Sequence, residues 1–182
     1  LQLRLSGGED SAIAFTSCDY LVGCDGPNSK VRSTQPVPEL KLYKTVQDYL
    51  PLCGEMEPYF DCIYARGIGA DYGYGYIIPK GEFAIVGSVF FPGSKQTTPL
   101  HAKAVDLFSS YYNYTPEAAK REVWHAVQAT SAKEISGGWG RVLLAGEAGG
   151  IISSSSGEGI SFALNSGHLA GLAVANARDG HT

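Results

Sequence analysis

The sequence predicts a mixed fold of strands and helices, in which an antiparallel sheet is followed by a strand, a glycine-rich loop and a helix. Four runs rich in β-branched and aromatic residues, separated by Gly, Pro and Asp clusters, predict the sheet. From Thr98 onward the apolar residues recur at helical spacing instead. With 182 residues, of which 44% are apolar and 18% charged, the chain can build one good core or two small ones.

The first predicted elements are a hairpin and a buried strand. Residues 1–5 and 11–16 alternate between apolar and polar side chains, and turn-forming residues lie between them. Residues 20–24 read as a buried strand. Because the chain starts with Leu1, has Met56 as its single methionine and opens directly in strands, we expect it to begin in mid-fold, N-terminally truncated relative to a parent protein.

The sheet is predicted from strands at residues 41–50, 60–66, 73–79 and 83–91. A helix should follow, with Thr98 as its cap and Pro99 at its first position, because apolar residues then fall on one face. The sequence Thr115-Pro116-Glu117 repeats this start signal. We therefore predict a second short helix over residues 116–121 and a strand over 122–129.

The end of the chain predicts a ligand-cradling arrangement. Residues 141–145 read as a short strand, 146–159 as a glycine- and serine-rich loop, and 160 to about 176 as a closing helix. Gly167 and Gly171 each cost that helix roughly 1 kcal/mol relative to alanine. We expect close packing against a sheet to account for both glycines.

Composition excludes several classes of function. The net charge is −4 and the Lys and Arg residues are scattered, which argues against a nucleic-acid partner. Without a signal peptide or an apolar run long enough to span a bilayer, a cytoplasmic protein is expected. We predict no metal site and no catalytic triad, because the histidines lack ligand spacing and a Ser or Cys nucleophile context. Each histidine is expected to be a surface or cap residue and each cysteine a buried free thiol. These residues are His101, His125, His168, His181, Cys18, Cys24, Cys53 and Cys62.

The strongest motif is the segment GEAGGIISSSSGEGI at residues 146–160. Its glycines allow a backbone to contact a flat or phosphorylated ligand, and the start of the next helix presents free amides. A helix N-terminus carries about half a positive charge and so favours an anionic ligand. Reduced flavin is such a ligand. The alternative is a glycine loop that only packs a helix on a strand.

This segment resembles the second FAD-binding motif of the geranylgeranyl-reductase-like flavoproteins and the related flavoprotein monooxygenases. The resemblance implies that Glu147 bonds a ribityl or ribose hydroxyl and that residues 157–160 lie at the flavin pyrimidine edge. Two positions depart from the family pattern, with Glu147 in place of Asp and Ser154 in place of Pro. The implied cofactor-binding residues here are Gly146, Glu147, Ala148, Gly149, Gly150, Gly157, Glu158, Gly159 and Ile160.

A second motif, CDYLVGCDGPNSKVR at residues 18–32, resembles the Gly-x-Asp-Gly motif of the same families. In the resemblance Asp25 lies near the FAD ribose or pyrophosphate and Gly26 permits the turn. Ser29 to Arg32 would begin the following helix. Taken alone, Asp-Gly-Pro-Asn is an everyday turn.

Between the two motifs, residues 71–82 resemble the family's aromatic strand, which lines the substrate cavity. Alternation predicts that Tyr72, Tyr74, Tyr76 and Ile78 share one face. The resemblance implies that this face forms the substrate wall. Aromatic faces suit an apolar substrate. For any one tyrosine, simple coverage of a core is an equal alternative.

The resemblance implies an α+β parent with two domains. Residues 1–36 and 122–182 would be the remnant of an FAD-binding domain that lacks its N-terminal Rossmann-type βαβ unit, since the sequence has no G-x-G-x-x-G fingerprint. Residues 37–121 would form an antiparallel-sheet substrate domain with helices.

The implied activity is that of an FAD-dependent oxidoreductase, with hydride transfer through the flavin to a carbon–carbon double bond of an isoprenoid or other small apolar substrate. Two alternatives stay open: an FAD- and NAD(P)H-dependent aromatic hydroxylase, and a catalytically inactive fragment that self-associates. The electron donor is either NAD(P)H or a ferredoxin-type protein, and peripheral membrane contact of the parent is also open. The sequence identifies no catalytic residue.

Overall fold

A computed structural model describes residues 1–5, 14–65, 67–153 and 156–179. The chain divides into two compact units, the first made of Leu1–Lys41 with Val127–Thr182 and the second of Leu42–Ala126. The predicted domain boundaries lie five residues before these at each junction. The assignment of one unit to the cofactor and the other to the substrate stays a prediction.

The first unit begins with the predicted hairpin, in which strands β1 (Gln2–Leu5) and β2 (Ala14–Ser17) pair antiparallel. The predicted turn between them lies outside the described residues. Strand β3 (Leu21–Gly23) is followed by a single helical turn, α1 (Lys30–Ser33). It confirms the strand expected at residues 20–24, but the expected burial is wrong, because Val22 is 36% exposed and only Gly23 is buried.

The second unit is built on a five-stranded sheet in the order β5-β6-β7-β4-β8. Four of its strands confirm the four predicted runs: β4 (Leu42–Pro51), β5 (Asp61–Ile63), β6 (Tyr72–Lys80) and β7 (Phe83–Phe90). Helix α2 (Thr97–Ser109) follows, with Gln96 rather than Thr98 at its N-cap. Strand β8 (Lys120–Val127) completes the sheet.

The core of the second unit lies between the sheet and α2. It contains Leu50, Ile77 and Val86 from the sheet and Phe108 from the helix, all of them less than 2% exposed. Side chains of β4, β6 and β7 therefore alternate between a face packed on α2 and an opposite face, as the strand pleat requires.

The rest of the chain returns to the first unit. Strands β9 (Gly138–Trp139) and β10 (Val142–Leu144) join β3 in a sheet of order β3-β10-β9, where β10 runs parallel to β3. A 3-10 turn over Gly146–Gly149 comes directly after β10. Helix α3 (Ile160–Arg178) closes the unit and confirms the predicted helix.

The short helix predicted over residues 116–121 is wrong. The amide of Thr115 donates to the carbonyl of Pro51, and that of Ala119 donates to the carbonyl of Tyr49. The segment is thus drawn along β4 as it approaches β8, and its backbone hydrogen bonds are used between segments instead of within a helix. The local start signal was overridden by pairing with the sheet.

The expected packing of the two glycines in α3 is also wrong. A Cβ atom built on Gly167 or Gly171 would have no atom within 4 Å. Several apolar side chains of α3 are exposed, among them Ile160 (77%), Leu164 (71%) and Leu169 (64%). Across the described residues, no helix has both the length and the apolar composition that a bilayer crossing requires.

Candidate functional site

The two predicted cofactor motifs meet in the first unit. Strand β3 leads into Asp25 and Gly26, and its parallel neighbour β10 leads into the glycine turn that starts at Gly146. Both motifs therefore lie at the carboxyl ends of adjacent parallel strands, which is where open α/β sheets bind ligands. Gly23 lets α1 and β10 pack closely on the end of β3, since a Cβ on Gly23 would lie 2.8 Å from Val31 Cβ and 3.0 Å from Leu144 Cδ2.

The carboxylate of Asp25 is committed to the start of α1. Its Oδ2 accepts hydrogen bonds from the amides of Lys30 (2.7 Å) and Val31 (3.2 Å), and its Oδ1 accepts one from Ser29 Oγ (2.6 Å). Burial pushes the pKa of Asp25 upward, but these hydrogen bonds outweigh it and hold the pKa below its usual value. Asp25 therefore organises the motif, whatever ligand the motif contacts.

The glycine turn depends on backbone conformations that side chains disfavour. Gly146 has φ 56° and Gly150 has φ 72°, both in the left-handed region. A Cβ on Gly146 would lie 3.1 Å from Ala163 Cβ in α3, and the Gly146 amide donates to Ser166 Oγ at 2.8 Å. The turn is thereby fastened to α3 on one side.

Glu147 is half-buried between the turn and the start of α3. Its Oε2 accepts a hydrogen bond from the amide of Val127 at 3.0 Å. Its Oε1 points toward the helix start, 4.0 Å from where a Cβ of Gly159 would be. The structure thus brings Glu147 close to Gly159, and one carboxylate oxygen faces the N-terminus of α3. The flavin contacts that the resemblance implies for both residues stay a prediction.

Gly157, Glu158 and Ile160 are exposed at the start of α3, and Gly159 is the N-cap without a side-chain hydrogen bond. Glu158 itself accepts hydrogen bonds from the amide (2.9 Å) and the hydroxyl (2.7 Å) of Ser161, and these hydrogen bonds hold its pKa below the usual value. Ser154, the departure from the family pattern, lies outside the described residues. The helix start is thus accessible, with one of its amides already satisfied.

The predicted shared face of Tyr72, Tyr74, Tyr76 and Ile78 is wrong for Tyr72, which lies on the other face of the sheet. The substrate role of these residues stays a prediction. A β-bulge between Tyr72 and Tyr74 shifts the register of β6 against β7. Tyr72 consequently packs with Phe90, Leu100 and Ala104 on the α2 side and is 6% exposed. Only Tyr74, Tyr76 and Ile78 remain on the face opposite α2.

That opposite face carries an aromatic cluster larger than the sequence predicted. Phe60 stacks on Tyr76 with ring centroids 5.5 Å apart, and Tyr64 lies at the same centroid distance from Tyr74. The Tyr76 hydroxyl donates to Gln47 Oε1 at 2.9 Å, and Gln47 Nε2 donates to Glu122 Oε2 at 3.1 Å. Phe60 and Tyr64 flank β5, one residue before it and one after it, so strand alternation in β6 gave no signal for them.

A buried polar network in the second unit was also not predicted. His101 and Ser88 are fully buried, and His101 Nδ1 lies 2.8 Å from Ser88 Oγ. His101 Nε2 lies 3.2 Å from Asp48 Oδ2, but the angles between the two groups do not meet those of a hydrogen bond. Arg121 donates from Nε and Nη2 to the two oxygens of Asp48, each at 2.7 Å.

This order of Ser, His and Asp resembles that of a hydrolytic triad, but no substrate can reach a hydroxyl that is 0% exposed. The network therefore joins β4, β7 and β8 to α2 as a structural element. The expectation that the histidines are surface or cap residues is wrong for His101. The useful signal was the apolar face of α2, on which His101 falls between Leu100 and Ala104. The expectation of buried thiols is wrong for Cys24, Cys53 and Cys62, which are exposed.

No family model matches the chain. Curated relatives named Protein CbrA, from Shigella dysenteriae serotype 1 (strain Sd197) and Escherichia coli O157:H7, are each 31% identical over 151 residues. The match covers 82% of this chain and 41% of each relative. The chain thus spans about two fifths of the length of these relatives.

Solved structures share the fold at low identity. A geranylgeranyl bacteriochlorophyll reductase-like protein from Thermoplasma acidophilum matches with a TM-score of 0.68 and 16% identity, over 94% of this chain and 45% of that one. The flavin-dependent halogenase CmlS matches with a TM-score of 0.60 and 17% identity, over 98% and 34%. The chain therefore has a fold that flavin-dependent enzymes also use.

Proposed function

We propose that this chain is the flavin-facing part of an FAD-dependent oxidoreductase. The observation that carries the proposal is the meeting of two separate motifs, those around Asp25 and Gly146, at the carboxyl ends of the adjacent parallel strands β3 and β10. The shared fold with a reductase-like protein and flavin-dependent halogenases supports it. A glycine loop that only packs a helix on a strand would need no second motif beside it.

The residues of the first unit fit a flavin. Gly146 and Gly150 let the turn pack closely on α3 and on the segment at Glu134. Glu147 holds one carboxylate oxygen toward the start of α3, where a ribityl or ribose hydroxyl would bond. The N-terminus of the 19-residue helix α3 supplies partial positive charge beside an exposed backbone. FAD, when bound, would supply hydride transfer through its isoalloxazine ring.

The aromatic face of the second unit supports a small apolar substrate. Phe60 and Tyr64, which are 60% and 71% exposed, offer flat apolar surface beside Tyr74 and Ile78. Tyr76 is buried and stacks on Phe60, so it supports this surface from below. The favoured reaction is reduction of a carbon–carbon double bond in an isoprenoid or similar molecule, with NAD(P)H or a ferredoxin-type protein as electron donor. Aromatic hydroxylation is the alternative, and substrate-dependent oxygen consumption by the full-length protein would identify it.

The cofactor assignment is tested by titrating the chain with FAD and following flavin fluorescence. We expect saturable binding that Glu147→Ala weakens about tenfold or more, as loss of a hydrogen bond to a charged group implies. Glu82→Ala, which removes an exposed carboxylate from the second unit, is the matched control and should bind like the wild type. Absence of binding by the wild-type chain would contradict the proposal that this part binds flavin by itself.

A second candidate, self-association, is favoured by one observation. Helix α3 carries apolar residues around most of its circumference, yet Ala170 is the only buried residue among those that the structure describes in this helix. A helix of that composition is normally covered. A second copy of the chain would cover this apolar surface, so self-association through α3 is the second candidate. It becomes the alternative function, that of an inactive fragment, if the chain binds no flavin.

A further inference from the structure

Arg32 is a buried cation whose partners are backbone carbonyls. The side chain begins in α1 and is 6% exposed. Its Nη1 donates to the carbonyl of Ala148 at 3.0 Å and its Nη2 donates to that of Glu134 at 2.8 Å. Nε and Nη2 both donate to the carbonyl of Pro38, at 3.0 and 2.6 Å. One guanidinium thus joins the motif around Asp25 to the glycine turn and to two further segments.

The segment that Arg32 holds is the one on which the glycine turn rests. A Cβ on Gly149 would lie 2.8 Å from the carbonyl oxygen of Ser136, and one on Gly150 would lie 3.2 Å from that of Glu134. The Ser136 amide also donates to the Gly149 carbonyl at 2.9 Å. Arg32 therefore fixes the turn twice, directly through Ala148 and indirectly through Glu134.

The fixed directions of the N–H donors in the planar guanidinium of Arg32, more than its charge, explain why it binds three carbonyls at once. Among the residues that the structure describes, no carboxylate forms an ion pair with the guanidinium. The Glu134 side chain is turned toward Thr130, accepting from its amide at 2.7 Å and from its hydroxyl at 3.0 Å. A lysine would keep the charge but not the fixed directions of several donors.

We propose that Arg32 is a positioning residue that holds the turn at residues 146–150 in its ligand-binding conformation. It acts through the carbonyls of Ala148 and Glu134 and touches no ligand itself. The identity of the ligand rests on the proposed flavin function, whereas the positioning role does not.

The positioning role is tested without any ligand, by amide hydrogen exchange of the wild-type chain and of Arg32→Lys. We expect peptides covering residues 146–151 to exchange about tenfold faster or more in the variant, as lost charge-assisted hydrogen bonds imply. Peptides from β6 and β7 should exchange as in the wild type. Arg121→Lys is the matched control, since it removes an equivalent fork from Asp48 in the second unit and should leave residues 146–151 unchanged.

The wild-type chain also provides a test if the variant does not fold. Its turn amides should be protected to a degree comparable with those of β10, and free exchange across residues 146–151 would overturn the proposal. Unchanged exchange of this segment in a folded Arg32→Lys would overturn it equally.

A second readout separates positioning from general loss of stability. Arg32→Lys should raise the FAD dissociation constant about tenfold and alter the visible circular dichroism of bound flavin. Val142→Ala, which removes buried volume from β10, should lower the melting temperature without changing that spectrum. If the wild type binds no FAD, the flavin assignment fails and the exchange measurement still decides the role of Arg32.

Discussion

Asp48 is held in the second unit by neighbours on three other elements. Arg121 of β8 binds both of its oxygens, and His101 of α2 lies against Oδ2 with Ser88 of β7 on its far side. Burial raises the pKa of Asp48, but the hydrogen bond and charge of Arg121, together with His101, outweigh it and leave the pKa below 3.8. A neutral His101 fits this network, since burial also lowers the pKa of that imidazole.

These shifts predict that acid destabilises the second unit in two stages. Burial lowers the pKa of the His101 imidazole below its usual value, although the charge of Asp48 opposes this shift. Between the pKa of His101 in the folded state and that in the unfolded state, only the unfolded chain holds the proton. The contribution of His101 to stability is therefore fully present well above the ordinary pKa of histidine and falls as the pH drops toward the lowered pKa of the folded state. The Asp48 contribution falls away below pH 3.8 in the same sense. Urea unfolding at about pH 8 and about pH 5 measures the first stage.

The control for this prediction is His101→Gln, which keeps a polar group near Ser88 but does not titrate. Its free energy of unfolding should change less between the two pH values than that of the wild type. Equal pH dependence in the two proteins would show that another group accounts for the loss.

At the residue scale, the sequence predicted which residues belong to the motifs but not what their side chains bind. The spacing of Asp25 and Ser29 was visible, yet the use of both Asp25 oxygens on α1 follows from the turn geometry of that segment. Two of the carbonyls that accept hydrogen bonds from Arg32, those of Ala148 and Glu134, are more than 100 residues away from it in the chain. Contacts of that range depend on how β3 and β10 pair, which side-chain type alone does not specify.

In the sheet of the second unit, the ring of Tyr76 on β6 packs over Gly87 of β7. A Cβ on Gly87 would lie 2.0 Å from Tyr76 Cζ, so alanine there forces the ring and its hydrogen bond to Gln47 to move. We expect Gly87→Ala to lower the free energy of unfolding by about 1–3 kcal/mol. Urea denaturation of the purified variant measures this.

Gly67→Ala is the matched control, because a Cβ on Gly67 would have no atom within 4 Å. Its stability should stay within about 0.5 kcal/mol of the wild type. Similar losses in both variants would contradict the packing of Tyr76 on Gly87.

At the scale of elements, periodicity predicted the strands and long helices because their apolar residues repeat along a regular backbone. It failed where one residue breaks the repeat or where pairing overrides a local signal. The bulge at Gly73 reverses the face of one tyrosine. A glycine inside a strand is a bulge signal, but Gly75 gives the same signal two residues later without a register shift. The signal Thr115-Pro116-Glu117 indicated a helix, but bonding to β4 takes up the backbone instead.

For the whole molecule, the exposed apolar residues of α3 predict association that depends on concentration. We expect analytical ultracentrifugation of the chain to show dimers whose fraction rises with concentration, since burial of apolar surface drives such contacts. Leu169→Lys should shift the equilibrium toward the monomer, because Leu169 is 64% exposed on α3.

Asn165→Lys adds the same charge to the same exposed helix and is the matched control. It should leave the dimer fraction close to that of the wild type. A wild-type chain that stays monomeric at every concentration would exclude α3 as an interface between copies.

The central claim, that the glycine turn and the Asp25 motif form one flavin site, is tested most directly by amide chemical shifts. FAD is added to the isotope-labelled chain and each backbone resonance is followed. The account predicts saturable shifts at residues 25–32, 146–150 and 157–160, with little change in α2 and β7. Saturable shifts confined to other residues, or none at all, would contradict it.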